Sequence, residues 1–442
     1  MIQPGIIEQV CDNNKVHEHQ RREHADSLTF QVPFYRVELN DEEINEVVAA
    51  LKSGWLTSGP RVRQFEQEFA AAVGAKHAVA VNSCTAALHL ALEAVGLHAG
   101  QAVLVPTMTF AATAEVVRYF GAVPVLVDCD PVTLNMDLPS AAIRIEEVRT
   151  GKLPSLKPDT EIVGIIPVHV GGQMMDVGAV QQFAHQHGLW VVEDAAHAFP
   201  AAWRPREAAP WQRCGEGTAE VTCFSFYANK TITTGEGGMA VTEDAGLAEQ
   251  MKLMSLHGLS RDAWQRYNGN GAWDYQIVAP GYKYNMTDMA AAIGIHQLRR
   301  AEAMRQEREA IVEEYVHTLS DVEELELPAL VPDRILSHHL FPVRLNLQEL
   351  AVDRNAFFEE LRLLGVGCSV HWRPLHLHPY YRDTLGWKAE DCPVASREWM
   401  RLLSLPLFPG MRPDERTHVV RSVRQLCRQF RAAGGPRSRK AR

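Results

Sequence analysis

FSFYANKTITTGEGGMAV, Phe224 to Val241, is the stretch on which the reading of the fold turns. An apolar, strand-like run ends there at Lys230, and small and hydroxylated residues with three glycines (Gly235, Gly237, Gly238) follow it. Upstream, a second apolar run, WVVEDAAHAF, ends in a carboxylate pair with Asp194 at its tip. A single lysine after a strand is ordinarily solvated. A carboxylate at one strand end with a lysine past the next is a less common pairing. Strand alternation sends Glu193 to the opposite face from Asp194, so only Asp194 is assigned to a site.

Further upstream, HAVAVNSCTAALHLAL, His77 to Leu92, reads as a buried strand over Val79–Val81 followed by cap residues Asn82, Ser83 and Thr85. A helix then begins over Ala86–Leu92. Free N–H groups at a helix start favour an anion. The backbone of Cys84 and Thr85, with the Thr85 hydroxyl, would supply the donors, and Ser225 is a further candidate. A lysine, a carboxylate and an anion cradle together suit pyridoxal phosphate (PLP). The lysine would form a Schiff base with the aldehyde, the aspartate would keep the pyridine nitrogen protonated, and the helix start would take the phosphate.

The surrounding pattern fits an α/β protein with a mostly parallel sheet wrapped by helices. Strands are expected at Val103–Val105, Val123–Val127, Ile162–Val168, Leu189–Val192 and Val221–Phe226, and covering helices at Ala111–Phe120 and Val177–His187. Such sheets bind ligands at the carboxyl ends of their strands, where Thr85, Phe110, Asp194 and Lys230 all fall. Before the sheet, a helix over Asp41–Lys52, capped at Asn40/Asp41, is broken by GWLTSGP, and a second spans Arg61–Val73. Glu146–Pro158 and Trp203–Gly217 read as surface loops, the second bordering the site. Thr287 to about Leu319 reads as one long linking helix. Beyond it, strands near Leu340–Leu345 and Gly367–His371 and helices near Arg354–Leu364 and Asp414–Gln429 suit a smaller α+β unit. The division expected is a loose tail over 1–32, a large PLP-binding domain over 33–300, a small domain over 301–433 and a basic tail over 434–442.

Composition is compatible with this reading. The 442 residues are 46% hydrophobic, enough for sizeable cores, and the net charge of −10 argues against a nucleic-acid surface. Eight scattered cysteines without a C-x-x-C pair read as reduced thiols. No apolar run is long enough for a membrane span and no apolar leader opens the chain, so a cytoplasmic location is expected.

The motifs GWLTSGP (Gly54–Pro60), NSCTAALHLAL, PTMTFAATAEVV (Pro106–Val117), VVEDAAHA, FSFYANK and GYKYNMTD (Gly281–Asp288) together resemble the DegT/DnrJ/EryC1/StrS family of fold type I PLP-dependent sugar aminotransferases. The likeness spans roughly Phe34 to Phe430. The segment HGLSRDAW…GYKYNMTD looks most like the branch that aminates UDP-linked 4-keto pentoses for lipid A modification. The resemblance implies that Lys230 carries the cofactor and shuttles a proton, that His197 faces the cofactor's 3′ oxygen, and that Phe110 lies against its face. It implies that Lys283 or Asn285 reaches the cofactor phosphate of the other subunit, hence a homodimer with shared sites. Many members have glycine where this chain has Cys84, a position where only a backbone N–H is required.

It also implies that Thr57, Ser58 and Gly59 and the segment HWRPLHLHPYY (His371–Tyr381) border the sugar-nucleotide site. A zinc reading of His371, His376 and His378 competes with that role, and lacks a helical ligand spacing. No metal is expected. The function implied is transfer of an amino group, expected to come from glutamate, to a nucleotide-linked keto sugar, expected at C4. Two other readings stay open: a PLP-binding regulator without transaminase activity, and a transaminase of an amino acid or cyclitol. In the last case Arg373 or Arg397 would grip an α-carboxylate.

Overall fold

The computed structural model describes residues 30–153, 156–158, 160–259 and 276–432. The expected N-terminal tail, most of the HGLSRDAW segment and the basic C-terminal tail therefore lie largely outside the described residues. Val32, placed at the end of the tail from sequence, is buried. It exchanges backbone hydrogen bonds with Gly365 and Gly367, each at 2.8 Å.

Two helices open the described chain, α1 (Asp41–Ser53) and α2 (Pro60–Val73). The Glu43 carboxylate accepts from the Asn40 N–H at 2.9 Å and fixes the start of α1. Gly59 precedes α2 and has no side chain to cap it. Asp288 does so from a distance, accepting from the N–H groups of Arg61 and Val62 at 3.2 and 3.1 Å.

The sheet comprises β1 (His77–Val81), β2 (Ala102–Pro106), β3 (Val123–Val127), β4 (Ile162–Ile165) and β5 (Trp190–Asp194), with β8 (Val221–Ser225) and β9 (Gly238–Thr242). Its strand order is β1-β9-β8-β5-β4-β2-β3, and only β9 runs against the rest. The helices between strands are α3 (Cys84–Ala94), α4 (Ala112–Tyr119), α5 (Leu138–Arg149), α6 (Val177–His187) and α7 (Ala245–Ser255). The mostly parallel, helix-wrapped sheet expected from the sequence is what forms.

Because six strands share one direction, Val81, Pro106, Asp194 and Ser225 end at one edge of the sheet. β9 starts at that edge, with Gly238 paired to both Val81 and Ser225. β9 escapes the sequence reading because its leading glycines look like a turn. Only Gly235 is in the left-handed region, with φ +82°. Gly238 is required for a different reason: a Cβ there would sit 2.5 Å from the Ser83 carbonyl carbon and 2.6 Å from the Cys84 nitrogen. The strand thus packs directly onto the start of α3.

Beneath the sheet edge, Phe65, Phe69, Phe224 and Phe226 are fully buried and interlock, with Phe69 centred 5.1 and 5.3 Å from Phe224 and Phe226. Burying a phenylalanine contributes about 1.5–3 kcal/mol. This cluster therefore holds rigid the strand that leads to Lys230.

The long helix α8 (Asp288–Leu319), with the Thr287 hydroxyl accepting from the Ala290 N–H, runs where expected and packs on α1 and α2. Beyond it come β10 (Leu325–Glu326), β12 (Phe341–Leu345), α9 (Arg354–Leu363), α10 (Pro379–Leu385), α11 (Pro393–Trp399), β13 (Leu402–Leu405) and α12 (Pro413–Gln429). Of these, β12, α9, β13 and α12 share a core with the end of α8 around Tyr315, Phe341, Phe357 and Phe408. Tyr381 and Leu385 of α10 instead pack into the core of the large sheet, and Ala395 of α11 joins a small cluster with Met108 and Cys129.

Four sequence expectations need correction. Gly367–His371 is not a strand. It makes one bridge, Ser369 to Ser404 on the free edge of β13, while the Gly367 N–H is committed to the Val32 carbonyl. Glu146–Arg149 is the last turn of α5, whose start is capped by the Asp137 carboxylate on Ser140. β4 stops at Ile165, and only Val168 meets β5 again, at Asp194. The segment 203–217 includes part of a small sheet, β6 (Ala202–Trp203) with β7 (Gln212–Arg213) and β11 (Arg334–Ile335), and none of its residues lines the site cavity.

Candidate active site

An open cavity of about 620 Å³ lies at the carboxyl edge of the sheet. The structure brings Cys84, Thr85, Phe110, Asp194, His197, Ser225, Lys230 and His371 together on its wall. Its volume falls in the ordinary range for a small-molecule site, roughly 300–1,000 Å³.

The anion cradle is the start of α3. The Ser83 hydroxyl accepts from Ala86 at 3.1 Å and the Ser83 carbonyl from Ala87 at 3.1 Å. The N–H groups of Cys84 and Thr85 lie ahead of the first helical bond and have no acceptor within the helix. The Thr85 side chain and Ser225 flank them on the same cavity. Burial and the nearby Asp194 carboxylate push the Cys84 thiol well up, so it stays a neutral, small lining group.

Asp194 stands at the end of β5, buried, with its carboxylate held by two donors. The Thr113 hydroxyl donates to Oδ2 at 2.8 Å and the Ala196 N–H to Oδ1 at 3.1 Å. The Thr113 hydroxyl is in turn 2.8 Å from that of Thr109. Burial raises the carboxyl pKa against the pull of these donors and of Lys230. A cationic ring nitrogen against the carboxylate would offset that cost. Its neighbour Glu193 faces away from the cavity, as the alternation requires, and accepts from the Thr218 and Thr222 hydroxyls at 2.6 and 2.8 Å.

Lys230 follows β8 in a turn closed by its own N–H on the Tyr227 carbonyl at 2.9 Å. Burial lowers its amine to about 8, while Asp194 pulls the other way. The neutral, nucleophilic amine is therefore well populated in mildly alkaline solution.

His197 is buried beside them. Its Nδ1 accepts from the Gly171 N–H at 3.3 Å, which leaves Nε2 as the donor of a neutral ring. Burial, then Lys230 and His371, hold its pKa well below the ordinary value. Trp372 stacks on it at 5.1 Å and 17°, and His339 lies 4.2 Å away. Phe110, by contrast, is 64% exposed on the cavity rim, an apolar ring with no protein covering it among the described residues.

Other sequence candidates lie elsewhere. Ser58 is buried and donates to the Met286 carbonyl at 2.5 Å, and its hydroxyl accepts from Asn285 Nδ2 at 2.8 Å. Lys283 Nζ donates to Asn285 Oδ1 at 2.6 Å. The Thr57 carbonyl accepts from the Asp288 N–H at 3.1 Å. Thr57, Ser58, Lys283 and Asn285 thus form a separate polar group, off the cavity of their own chain.

The zinc reading fails because the three histidines diverge. His371 is 3.0 Å from the Ser404 hydroxyl. His376 lies between the hydroxyls of Thr107 and Ser396, at 2.7 and 2.8 Å. His378 is 3.2 Å from the Arg373 carbonyl. Arg397 pairs with Glu398 at 3.0 Å and does not reach the cavity.

Sequence reasoning missed Thr113, His339 and Trp372. Thr113 is one helical turn past Thr109 in a motif already singled out, and that spacing is the signal available. Trp372 lies next to His371 in a segment already assigned to the substrate side, whereas His339 arrives from a distant segment and nothing local marks it.

The fit to PLP rests on these observations: a phosphate-sized anion site at a helix start, a buried carboxylate aimed at the same cavity, and an amine between them whose pKa burial has lowered.

The DegT/DnrJ/EryC1/StrS aminotransferase family model matches residues 37–424. The spore coat polysaccharide biosynthesis protein SpsC of Bacillus subtilis is 42% identical over 410 residues, 92% of this chain and 99% of that protein. Among solved structures, the PLP form of the putative sugar aminotransferase Spr1654 from Streptococcus pneumoniae superposes with a TM-score of 0.79 at 29% identity. It covers 90% of this chain and 99% of its own. DesV from S. venezuelae gives 0.78 at 30% identity, over 90% and 98%. Among the described residues, no helix is long and apolar enough to cross a membrane. With this match along nearly its whole length and this site, the chain belongs to the DegT/DnrJ/EryC1/StrS aminotransferase family and is a PLP-dependent sugar aminotransferase.

Proposed function

We propose that the enzyme moves an amino group from L-glutamate to a nucleotide-linked keto sugar, at C4 of the sugar. The observation that carries the reading is the convergence of Lys230, Asp194 and the start of α3 on one open cavity with room beyond the cofactor groups.

When bound, PLP supplies the carbon that carries the amino group and a ring that takes up electrons. The chain's residues do the remainder. The Cys84 and Thr85 N–H groups, with Thr85 and Ser225, bind the phosphate. Asp194 keeps the ring nitrogen protonated and is itself oriented by Thr113. The Nε2–H of His197 donates to the ring oxygen. Phe110 covers one face and excludes water. Lys230, near neutrality in charge at mildly alkaline pH, holds the proton that must pass to and from the reacting carbon. His371 borders the sugar. Two half-reactions at one site give ping-pong kinetics.

The active form proposed is a homodimer. Lys283, Asn285 and Ser58 are linked to one another at the end of β1, where Asn285 bridges to Val81, and Thr57 beside them holds the Asp288 N–H. In this reading they serve the neighbouring subunit's phosphate and substrate. The resemblance of the segment HGLSRDAW…GYKYNMTD to the branch that aminates UDP-linked 4-keto pentoses supports amination at C4.

Incubation with glutamate and a panel of UDP- and dTDP-linked 4-keto sugars, read by mass spectrometry, tests this. An amino sugar with matching 2-oxoglutarate supports it. Amination of keto acids or cyclitols alone contradicts it.

A further inference from the structure

A small hollow of about 20 Å³ adjoins the active cavity, and Asn229 and Lys230 stand in the walls of both. Gln297 and Arg308 of α8 also line it, with Arg36 and Glu38 from the segment ahead of α1. Most polar side chains around it are committed elsewhere. The Thr231 hydroxyl donates to the Phe199 carbonyl, and the Thr233 hydroxyl to that of Phe226 at 3.0 Å. Gln297 Nε2 donates to the Glu43 carboxylate at 2.9 Å. Arg36 pairs with Glu415 at 2.7 Å, and Glu38 with Arg300 at 3.2 Å.

Two buried atoms are left over: Arg308 Nε and Asn229 Oδ1 have no hydrogen-bond partner among the described residues. They are complementary, because a guanidinium Nε–H can only donate and an amide oxygen can only accept. Arg308 is 4% exposed and stays cationic at neutral pH, its pKa lowered by burial to about 10. An unmade bond on a buried charged group is costly. The hollow has room for one water, which needs roughly 10–15 Å³ and two or more polar partners.

We propose that one ordered water fills this hollow, accepting from Arg308 Nε–H and donating to Asn229 Oδ1, and that Arg308 is thereby a positioning residue for the Lys230 turn. Asn229 precedes Lys230 and separates the hollow from the active cavity. The other end of the same guanidinium holds a second wall of that cavity. Its Nη1 donates to the Leu407 carbonyl at 2.9 Å and to the His338 carbonyl at 3.4 Å. His338 has φ +52°, a conformation that side chains rarely adopt, and it precedes His339 on the cavity wall. One side chain of α8 thus fixes both the lysine turn and the His339 segment. Its influence falls on the aim of the Lys230 amine, whereas the Cys84 and Thr85 cradle holds the phosphate without it.

A crystal structure of the PLP-loaded enzyme at high resolution gives the first readout. An ordered water within hydrogen-bond distance of both Arg308 Nε and Asn229 Oδ1 is expected. An empty hollow, or a direct bond between the two side chains, overturns the proposal. The second readout is PLP uptake by the full-length apo-protein, followed as growth of the long-wavelength band, which needs no amino donor. Arg308→Met and Asn229→Ala should each lower the limiting rate about tenfold, the scale of one lost bond to a charged group. The PLP concentration that half-saturates the rate should stay near wild type, since the phosphate cradle is untouched. The double variant should be no slower than the slower single, because one water carries both effects. Multiplying losses, to about a hundredfold, overturn the shared water. A loss confined to the half-saturating concentration overturns the positioning role. Asn229→Ala leaves the carbonyl bonds of Arg308 intact, so if Arg308→Met does not fold, the ordered water and the Asn229→Ala rate decide the question. A wild-type uptake rate in Asn229→Ala overturns the proposal on its own.

Discussion

The floor of the cavity and the polar group at 57–58 and 283–285 were both singled out by the family resemblance, yet they are built differently. On the floor, each functional group is held by its own chain: Asp194 by Thr113 and Ala196, His197 by Gly171, Lys230 by its turn on Tyr227. Each also faces the shared cavity. In the other group, Ser58, Lys283 and Asn285 bond chiefly to one another and face no cavity of their own chain. The floor groups meet on one cavity within one chain, and under the proposed homodimer the polar group would serve the neighbouring subunit's site.

The largest effect belongs to the floor. Lys230→Ala removes both the covalent anchor and the proton carrier, and should lower turnover at least about 10³-fold, measured by single-turnover absorbance. Asp194→Asn keeps shape and removes charge. A loss on the order of 10²-fold is expected, with PLP still bound. Retention of near wild-type turnover would detach the carboxylate from the chemistry.

The polar group sharpens the comparison. Asn285→Ala should weaken PLP retention by about tenfold through loss of one bond to a charged group. When it is mixed with Lys230→Ala and the subunits are exchanged, one intact site per hybrid should return, roughly a quarter of wild-type activity for a two-fold dimer. No recovery would place Asn285 in its own chain's site or outside any site.

Two glycines in one motif separate packing from conformation. Gly238→Ala drives a Cβ to 2.5 Å from Ser83 and should cost about 1–3 kcal/mol, with weakened PLP retention because the α3 start must move. Gly235→Ala meets nothing within 4 Å but holds φ at +82°. It should cost about 1–2 kcal/mol in denaturant titration and leave PLP retention unchanged.

The smallest effect is on pH. Burial lowers Lys230 to about 8, so its neutral form gains as pH rises through that value. The rate of PLP uptake by apo-protein should climb between about pH 7 and 9 and level off above, short of the ordinary lysine range near about 10.4. A climb continuing to pH 10 would contradict a buried amine.

The comparison also explains what could be read from one sequence. The floor was legible because apolar strand runs end at chemically distinct residues, Asp194 and Lys230, and because Ser83 announces a helix start. β9 was not, since its glycines mimic a turn when the real constraint on Gly238 is contact with the distant backbone of Ser83 and Cys84. Gly367–His371 has strand-like residues, but Gly367 bonds Val32 on one side and only Ser369 reaches β13 on the other. Thr113 is legible in hindsight from its spacing to Thr109. Trp372 sat inside the motif His371–Tyr381 without being singled out, and His339 is placed by the packing of a distant segment, which no local pattern encodes. The zinc reading of His371, His376 and His378 failed for the same reason, because neighbours in sequence found separate partners.

The most direct test of the central claim is the visible spectrum of the PLP-loaded protein titrated with glutamate, with Lys230→Ala in parallel. Transamination at this floor requires the long-wavelength band of wild type to give way to the near-ultraviolet band of the pyridoxamine form, with stoichiometric 2-oxoglutarate. The variant should lack the normal band and produce no 2-oxoglutarate. A wild-type band indifferent to glutamate and to other amino donors would instead describe a PLP-binding protein that does not transaminate.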